Sequence, residues 1–123
     1  MLEIHKINEI EIIKRLETEI NLEYNKNNIF LGVYIDGEVK EYLCYRQSDD
    51  SFTVLYVSDN TKDFQLIFGL VKTLVFLADM AMAEYVVLPL FYDRIAKAVG
   101  FDKTPDNYIL KISEYHEKCG KCC

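Results

Sequence analysis

The sequence predicts an α/β protein whose mixed, mostly antiparallel sheet carries helices on both faces. Two alternating runs flank Asp36-Gly37, which is a strong hairpin signal, and a long apolar segment at 64–83 has the length of a central helix. Together with the flanking patterns, these features give the order β-α-β-β-β-α-β-α-β. With 123 residues, 50% of them hydrophobic, the chain fits one domain at 1–115 followed by a Cys-rich tail at 116–123.

The first half begins with a strand and a helix. "LEIHKI" alternates as a strand does, and Asn8 is a plausible N-cap for the helix that follows. Four apolar residues then recur at helical spacing, namely Ile10, Ile13, Leu16 and Ile20. "IFLGVYIDGEVKEYLCYRQ" predicts two hairpin strands, and "FTVLYVS" predicts a third strand of an antiparallel meander.

The second half changes to a helical period. Asp59-Asn60-Thr61 offers capping groups for a helix predicted from about Asp63 to Glu84. "YVVLPL" then predicts a short buried strand, "FYDRIAKAVGF" a helix that ends at Gly100, and "NYILKISEY" the last strand.

Charge and composition exclude several partners. The net charge is −6, and Lys and Arg are scattered, so neither nucleic acid nor an acidic membrane is an expected partner. Lys72 and Asp79 interrupt the apolar segment, which disfavours a membrane span. "MLEIHKINEIEI" carries acidic residues where a signal peptide needs basic ones, so we expect a cytoplasmic protein. An unknown protein, a small molecule or a second copy in a homodimer are the partners left.

Three stretches resemble the GNAT superfamily of acyl-CoA-dependent N-acetyltransferases. They are "VYIDGEV" in the hairpin, "FTVLYVSDN" in the fourth strand and "AKAVGF" at the end of the last helix. The predicted element order resembles that family over nearly the whole chain. The resemblance implies a GNAT-like fold, acetyl-CoA as cofactor and transfer of an acyl group to an amine.

In that family a loop of the form Q/R-x-x-G-x-G/A follows the fourth strand and binds the pyrophosphate of the cofactor through backbone N–H groups. Laid on this sequence from Val57, the pattern puts Lys62 at the Q/R position and the non-glycine residues Asp63, Phe64 and Gln65 in the loop. A carboxylate at a helix N-terminus competes with phosphate for the same N–H groups. The positive charge of Lys62 would offset this repulsion only in part. We therefore expect a loop that has lost most of the family's cofactor-binding features.

The resemblance also implies a tyrosine four residues before the glycine of the closing "GF", as the acid that protonates the leaving thiolate. Counting back from Gly100 gives Ala96, and Tyr92 lies four residues further toward the N-terminus. Tyr92 is therefore a displaced candidate acid. Asp59 and Glu41 are candidates for assisting deprotonation of the amine, although carboxylates in turns and strands are usually solvated.

The chain is also short for the family. The second helix of the usual first pair is absent, and the closing hairpin has only "FDKTP" for its first arm. The leading interpretation is therefore a GNAT-like protein that acts by binding or regulation rather than by catalysis. An active acyl-CoA-dependent N-acetyltransferase is the first alternative.

The tail offers a second alternative, a metal-binding or redox protein. Its candidate ligands for zinc or another thiophilic metal are His116, Cys119, Cys122 and Cys123. A single C-x-x-C pair is also compatible with an inert tail. Cys44, within a predicted strand, is expected to be packed in the core.

Overall fold

The computed structural model describes residues 1–115, which form a seven-stranded sheet, three α-helices, one 3₁₀ turn and a helical stretch at 112–115. In chain order the elements are β1 Leu2–Lys6, α1 Ile10–Glu19, β2 Ile29–Ile35, β3 Glu38–Gln47, β4 Ser51–Val57, α2 Phe64–Met80, β5 Tyr85–Leu88, the 3₁₀ turn Leu90–Tyr92, α3 Asp93–Val99, β6 Asp102–Lys103 and β7 Tyr108–Lys111.

The strands follow the spatial order β1-β2-β3-β4-β5-β7-β6. Every neighbouring pair is antiparallel except β4 and β5, which are parallel. The predicted mixed, mostly antiparallel sheet is therefore confirmed. The closing hairpin does form, but its first arm is only Asp102–Lys103, a strand that the predicted order did not include.

Helix α1 covers one face of the sheet. Leu16 of this helix packs in a cluster with Phe30, Tyr42 and Cys44, which alternate with residues of the opposite face along β2 and β3. Cys44 is fully buried with a free thiol, and burial raises its pKa to about 12. Its predicted role in packing is confirmed.

Helices α2 and α3 cover the other face. Leu70 and Leu74 of α2 are completely buried against Leu31 and Leu43 of the sheet, and Ile95 of α3 packs in the same cluster. Helices on both faces are thus confirmed. Since both faces are covered, the central strands bury residues on both sides, which explains their nearly continuous apolar runs.

Several predicted boundaries differ from the structure. The N-cap of α1 is Glu9 and not Asn8, and Ile10 at the first helical position is exposed. Helix α2 ends at Met80 rather than near Glu84, and residues 112–115 are helical where the last strand was expected to continue. Within residues 1–115 no helix combines the length and the apolar character that crossing a bilayer requires.

Candidate ligand-binding cleft

The parallel strands β4 and β5 separate part of the way along the sheet. They pair only from Ser51–Thr53 to Tyr85–Val87, although β4 continues to Val57. On its other edge β4 carries a bulge at Leu55, since Cys44 pairs with Tyr56 and Tyr45 with Val54. A bulge bends its strand, and here it lies just beyond the last β4–β5 pair.

A cleft of about 340 Å³ opens between the end of β4, the loop that follows it and the first turns of α2 and α3. Its volume is at the lower end of the range for small-molecule pockets. The lining combines aromatic and aliphatic side chains with a few charged ones: Val57, Ser58, Asp59, Lys62, Phe64, Ile67, Phe91, Tyr92, Arg94 and Ile95. The predicted residues Val57, Asp59, Lys62, Phe64 and Tyr92 are therefore brought to one place.

Tyr92 reaches across the cleft to β4. Its hydroxyl accepts a hydrogen bond of 2.9 Å from the backbone N–H of Val57. Burial raises the pKa of Tyr92, and the nearby Tyr56 adds to that rise, while the Val57 hydrogen bond opposes it. Tyr92 belongs to the 3₁₀ turn before α3, and Ala96, at the family position, is fully buried core. The side chain of Tyr92 therefore lies in the cleft as a protonated phenol rather than as a phenolate.

Asp59 and Lys62 lie on the loop at the cleft mouth. The Lys62 ammonium is 3.4 Å from the Asp59 carboxylate, and both side chains are largely exposed. Lys62 has φ of 59°, in the left-handed region. A solvated ion pair of this kind contributes little to stability, and it places Asp59 against a cation.

Glu41 is buried, contrary to the expectation that it is solvated. Its Oε1 accepts hydrogen bonds from Ser58 Oγ at 2.5 Å and from the Asn60 N–H at 2.9 Å. Its Oε2 accepts from the N–H and the hydroxyl of Thr61, at 2.7 and 2.5 Å. Burial alone would raise the pKa of Glu41, but these hydrogen bonds outweigh it and lower the pKa. An ionised, fully hydrogen-bonded carboxylate holds the loop and is a poor general base.

The loop uses its own acceptors at the start of α2. Asp63 is the N-cap, and its carboxylate accepts a hydrogen bond of 3.0 Å from the Gln65 N–H. The Asp63 N–H in turn donates to the Thr61 hydroxyl at 3.2 Å. The N–H groups of Leu66 and Ile67 donate to the Asp63 carbonyl, so four of the six amides at 62–67 already have an internal acceptor. The amides of Asn60 and Thr61, just before this pattern, donate to Glu41.

Arg94 is the cleft residue that the sequence did not reveal. Its guanidinium carbon lies 4.0 Å from the centre of the Phe64 ring, a close cation–π contact. Among residues 1–115 Arg94 forms no ion pair with a carboxylate. The sequence places Arg94 two residues after the candidate Tyr92, which was the only hint that it lies near the site. Its contact with Phe64 depends on the packing of α2 against α3, which the sequence pattern does not show.

The predicted metal ligands His116, Cys119, Cys122 and Cys123 lie outside the described residues. Within the described part of the chain, no three His, Cys, Asp or Glu side chains are grouped so as to hold a metal ion. The metal-binding and redox interpretation of the tail therefore stays a prediction.

No protein-family model matches the chain, and no curated protein matches its sequence. Solved structures do match its fold. An N-acetyltransferase from Staphylococcus aureus Mu50 superposes with a TM-score of 0.71 at 14% identity, covering 92% of this chain and 99% of the other. The ribosomal-protein-S18-alanine N-acetyltransferase of Escherichia coli gives 0.68 at 8% identity, covering 89% and 90%. The E. coli protein YhhK bound to coenzyme A gives 0.67 at 10% identity, covering 90% and 98%.

These matches show an α/β fold of the acyl-CoA N-acyltransferase-like type. The chain has the GNAT fold, as its resemblance in "VYIDGEV" and "AKAVGF" implied. Identities of 8–14% show the fold alone. A shared fold does not establish a shared function. The function of this chain has to be argued from the side chains of the cleft.

Proposed function

We propose that this chain is a non-catalytic GNAT-fold protein that acts by binding a ligand or a partner. One observation carries the proposal: carboxylates of the chain itself accept hydrogen bonds from three backbone N–H groups between β4 and the first turn of α2, including that of Gln65 inside the family pattern at 62–67. Glu41 accepts from the amides of Asn60 and Thr61, and Asp63 accepts from that of Gln65. A phosphate would have to displace these acceptors and approach their negative charge.

The test is a calorimetric titration of acetyl-CoA into the reduced, metal-free protein. We expect no binding at about 1 mM cofactor, since a pyrophosphate has few free amides to bind. Binding with a dissociation constant of about 1 μM would overturn the proposal. Asp63→Gly, which removes the capping carboxylate, is expected to raise the affinity for acetyl-CoA, whereas Asp106→Gly, at an exposed position away from the cleft lining, serves as the matched control.

A second candidate is an acyl-CoA-dependent N-acetyltransferase, and the placement of Tyr92 favours it. The protonated phenol lies in the cleft where β4 and β5 separate. In such a reaction it would donate its proton to the departing thiolate, and Asp59 would stand at the mouth as the available carboxylate. Turnover of acetyl-CoA with any amine, with a kcat that falls strongly in Tyr92→Phe while the Michaelis constant is unchanged, would favour this candidate over the binding protein.

The homodimer and the cytoplasmic location stay predictions. Analytical ultracentrifugation of the full chain gives its oligomeric state and so tests the homodimer. The same measurement on mixtures with a candidate protein tests for a complex.

A further inference from the structure

The charges that line the cleft do not balance. Three charged side chains line it, the cations Lys62 and Arg94 and the carboxylate Asp59. Lys62 and Asp59 pair with each other at 3.4 Å, which leaves Arg94 without a carboxylate among residues 1–115. The cleft therefore carries one positive charge in excess, on a protein whose net charge is −6.

The carboxylates near Arg94 are engaged elsewhere. Asp93, its neighbour in sequence, lies 3.2 Å from Lys97 and accepts a hydrogen bond from the Tyr108 hydroxyl. Asp63 caps α2 through the Gln65 N–H and is not part of the cleft lining. The exposed guanidinium of Arg94 lies 4.0 Å from the centre of the Phe64 ring, and none of its N–H donors has an acceptor within residues 1–115.

The remaining lining is apolar. Phe64, Ile67 and Ile95 form the inner wall, and Phe91 stands at the rim with 87% of its surface exposed. Together these side chains give the cleft an apolar surface that a ligand could cover. The Phe91 ring meets the Tyr92 ring edge-on, with 5.2 Å between their centres.

We propose that the cleft binds a small amphipathic monocarboxylate, with its carboxylate on Arg94 and its apolar body between Phe64 and Phe91. The excess of one positive charge favours a monoanion over a di- or trianion, and the planar guanidinium matches a carboxylate in a bidentate arrangement. This inference rests on the proposed function, because acetyl-CoA and a free carboxylate would occupy the same cleft.

The probes are phenylacetate and its neutral isostere phenylacetamide, titrated into the full-length reduced protein at pH 7. We expect phenylacetate to bind with a dissociation constant of about 1 mM or tighter, and the amide at least about tenfold more weakly, since a hydrogen-bonded charge pair is worth that factor or more. Ring-current shifts in the NMR signals of Phe64 and Phe91 locate the ligand. Equal affinities for acid and amide would overturn the inference, as would no binding at about 10 mM.

Two variants separate the cleft charge from the general surface charge. Arg94→Gln is expected to weaken phenylacetate about tenfold and to leave the amide unchanged. Lys14→Gln removes one positive charge from an exposed position of α1, on the other face of the sheet, and it is expected to bind like the wild type. Arg94→Lys keeps the charge without the planar guanidinium, so its affinity for phenylacetate should lie between those of the other two variants. An equal loss of affinity in all three variants would overturn the inference.

Failure here and failure of the proposed function give different results. Micromolar acetyl-CoA binding removes the proposed function whatever phenylacetate does. No acetyl-CoA binding together with no phenylacetate binding leaves the non-catalytic protein intact and removes only the carboxylate ligand.

Discussion

The buried Glu41 gives the sharpest test of the way in which the loop is held. Each of its two carboxylate oxygens accepts two hydrogen bonds, from Ser58 and Asn60 on one side and from Thr61 on the other. In Glu41→Gln an NH₂ group replaces one oxygen, so whichever way the amide turns, it faces two donors. The hydroxyls can rotate and recover part of the loss, and we therefore expect the free energy of unfolding to fall by about 3 kcal/mol.

The dependence on pH provides a second, independent readout. The pKa of Glu41 in the folded state lies below its ordinary value of 4.5. A carboxylate with a depressed pKa contributes stability that is complete above the unfolded pKa and is lost as the pH falls through the folded pKa. The difference between wild type and Glu41→Gln should therefore be full at pH 7 and should shrink as the pH falls below 4.5.

Urea denaturation followed by circular dichroism measures both quantities. Glu38→Gln is the matched control, because Glu38 is on the same strand, is exposed and pairs only with Lys40. We expect it to change stability little. A loss below about 1 kcal/mol for Glu41→Gln, within the range of a single ordinary hydrogen bond, would refute the reasoning. An identical difference at pH 7 and at strongly acidic pH would do so as well.

Two further predictions concern single side chains. Tyr92→Phe removes the acceptor of the Val57 N–H and should lower the free energy of unfolding by about 1 kcal/mol, whereas Tyr24→Phe, at an exposed tyrosine, should leave it unchanged; equal values for both would contradict the bond. Gly100→Ala should lower the free energy of unfolding by about 1–2 kcal/mol, because Gly100 ends α3 with φ of 109°, where a Cβ is strained even though, apart from its chain neighbours, no atom of residues 1–115 lies within 4 Å of it. A wild-type melting curve for this variant would show that the helix end relaxes.

The sequence predicted well those elements whose signal is local. Asp36-Gly37 marked the hairpin, and both residues have the positive φ, 51° and 86°, that a tight turn of this kind needs. The end of α3 at Gly100 was equally local, since its left-handed conformation favours glycine. The long apolar helix followed from the same kind of pattern, but its N-cap is Asp63 and not one of the predicted capping residues Asp59, Asn60 and Thr61.

The site itself depended on contacts between distant segments. Burial of Glu41 could not be seen in the alternation of β3, because helices cover both faces and the residues from Glu41 to Tyr45 are all buried. Arg94 belongs to the cleft because its guanidinium packs on the ring of Phe64, thirty positions earlier, where the first turns of α2 and α3 are in contact. The two-residue strand β6 is shorter than any periodic signal and is fixed only by its pairing with β7.

The four hydrogen bonds on Glu41 have one more consequence for any molecule that enters the cleft. Folding alone orders the loop at 58–63, whose residues Ser58, Asp59 and Lys62 form one wall of the cleft. A ligand does not have to immobilise this wall, so the usual entropic penalty of loop ordering is absent from its affinity. The same hydrogen bonds make the wall rigid, so ligands should be selected by their shape. Hydrogen exchange at the Asn60 and Thr61 amides should be slow before any ligand is added.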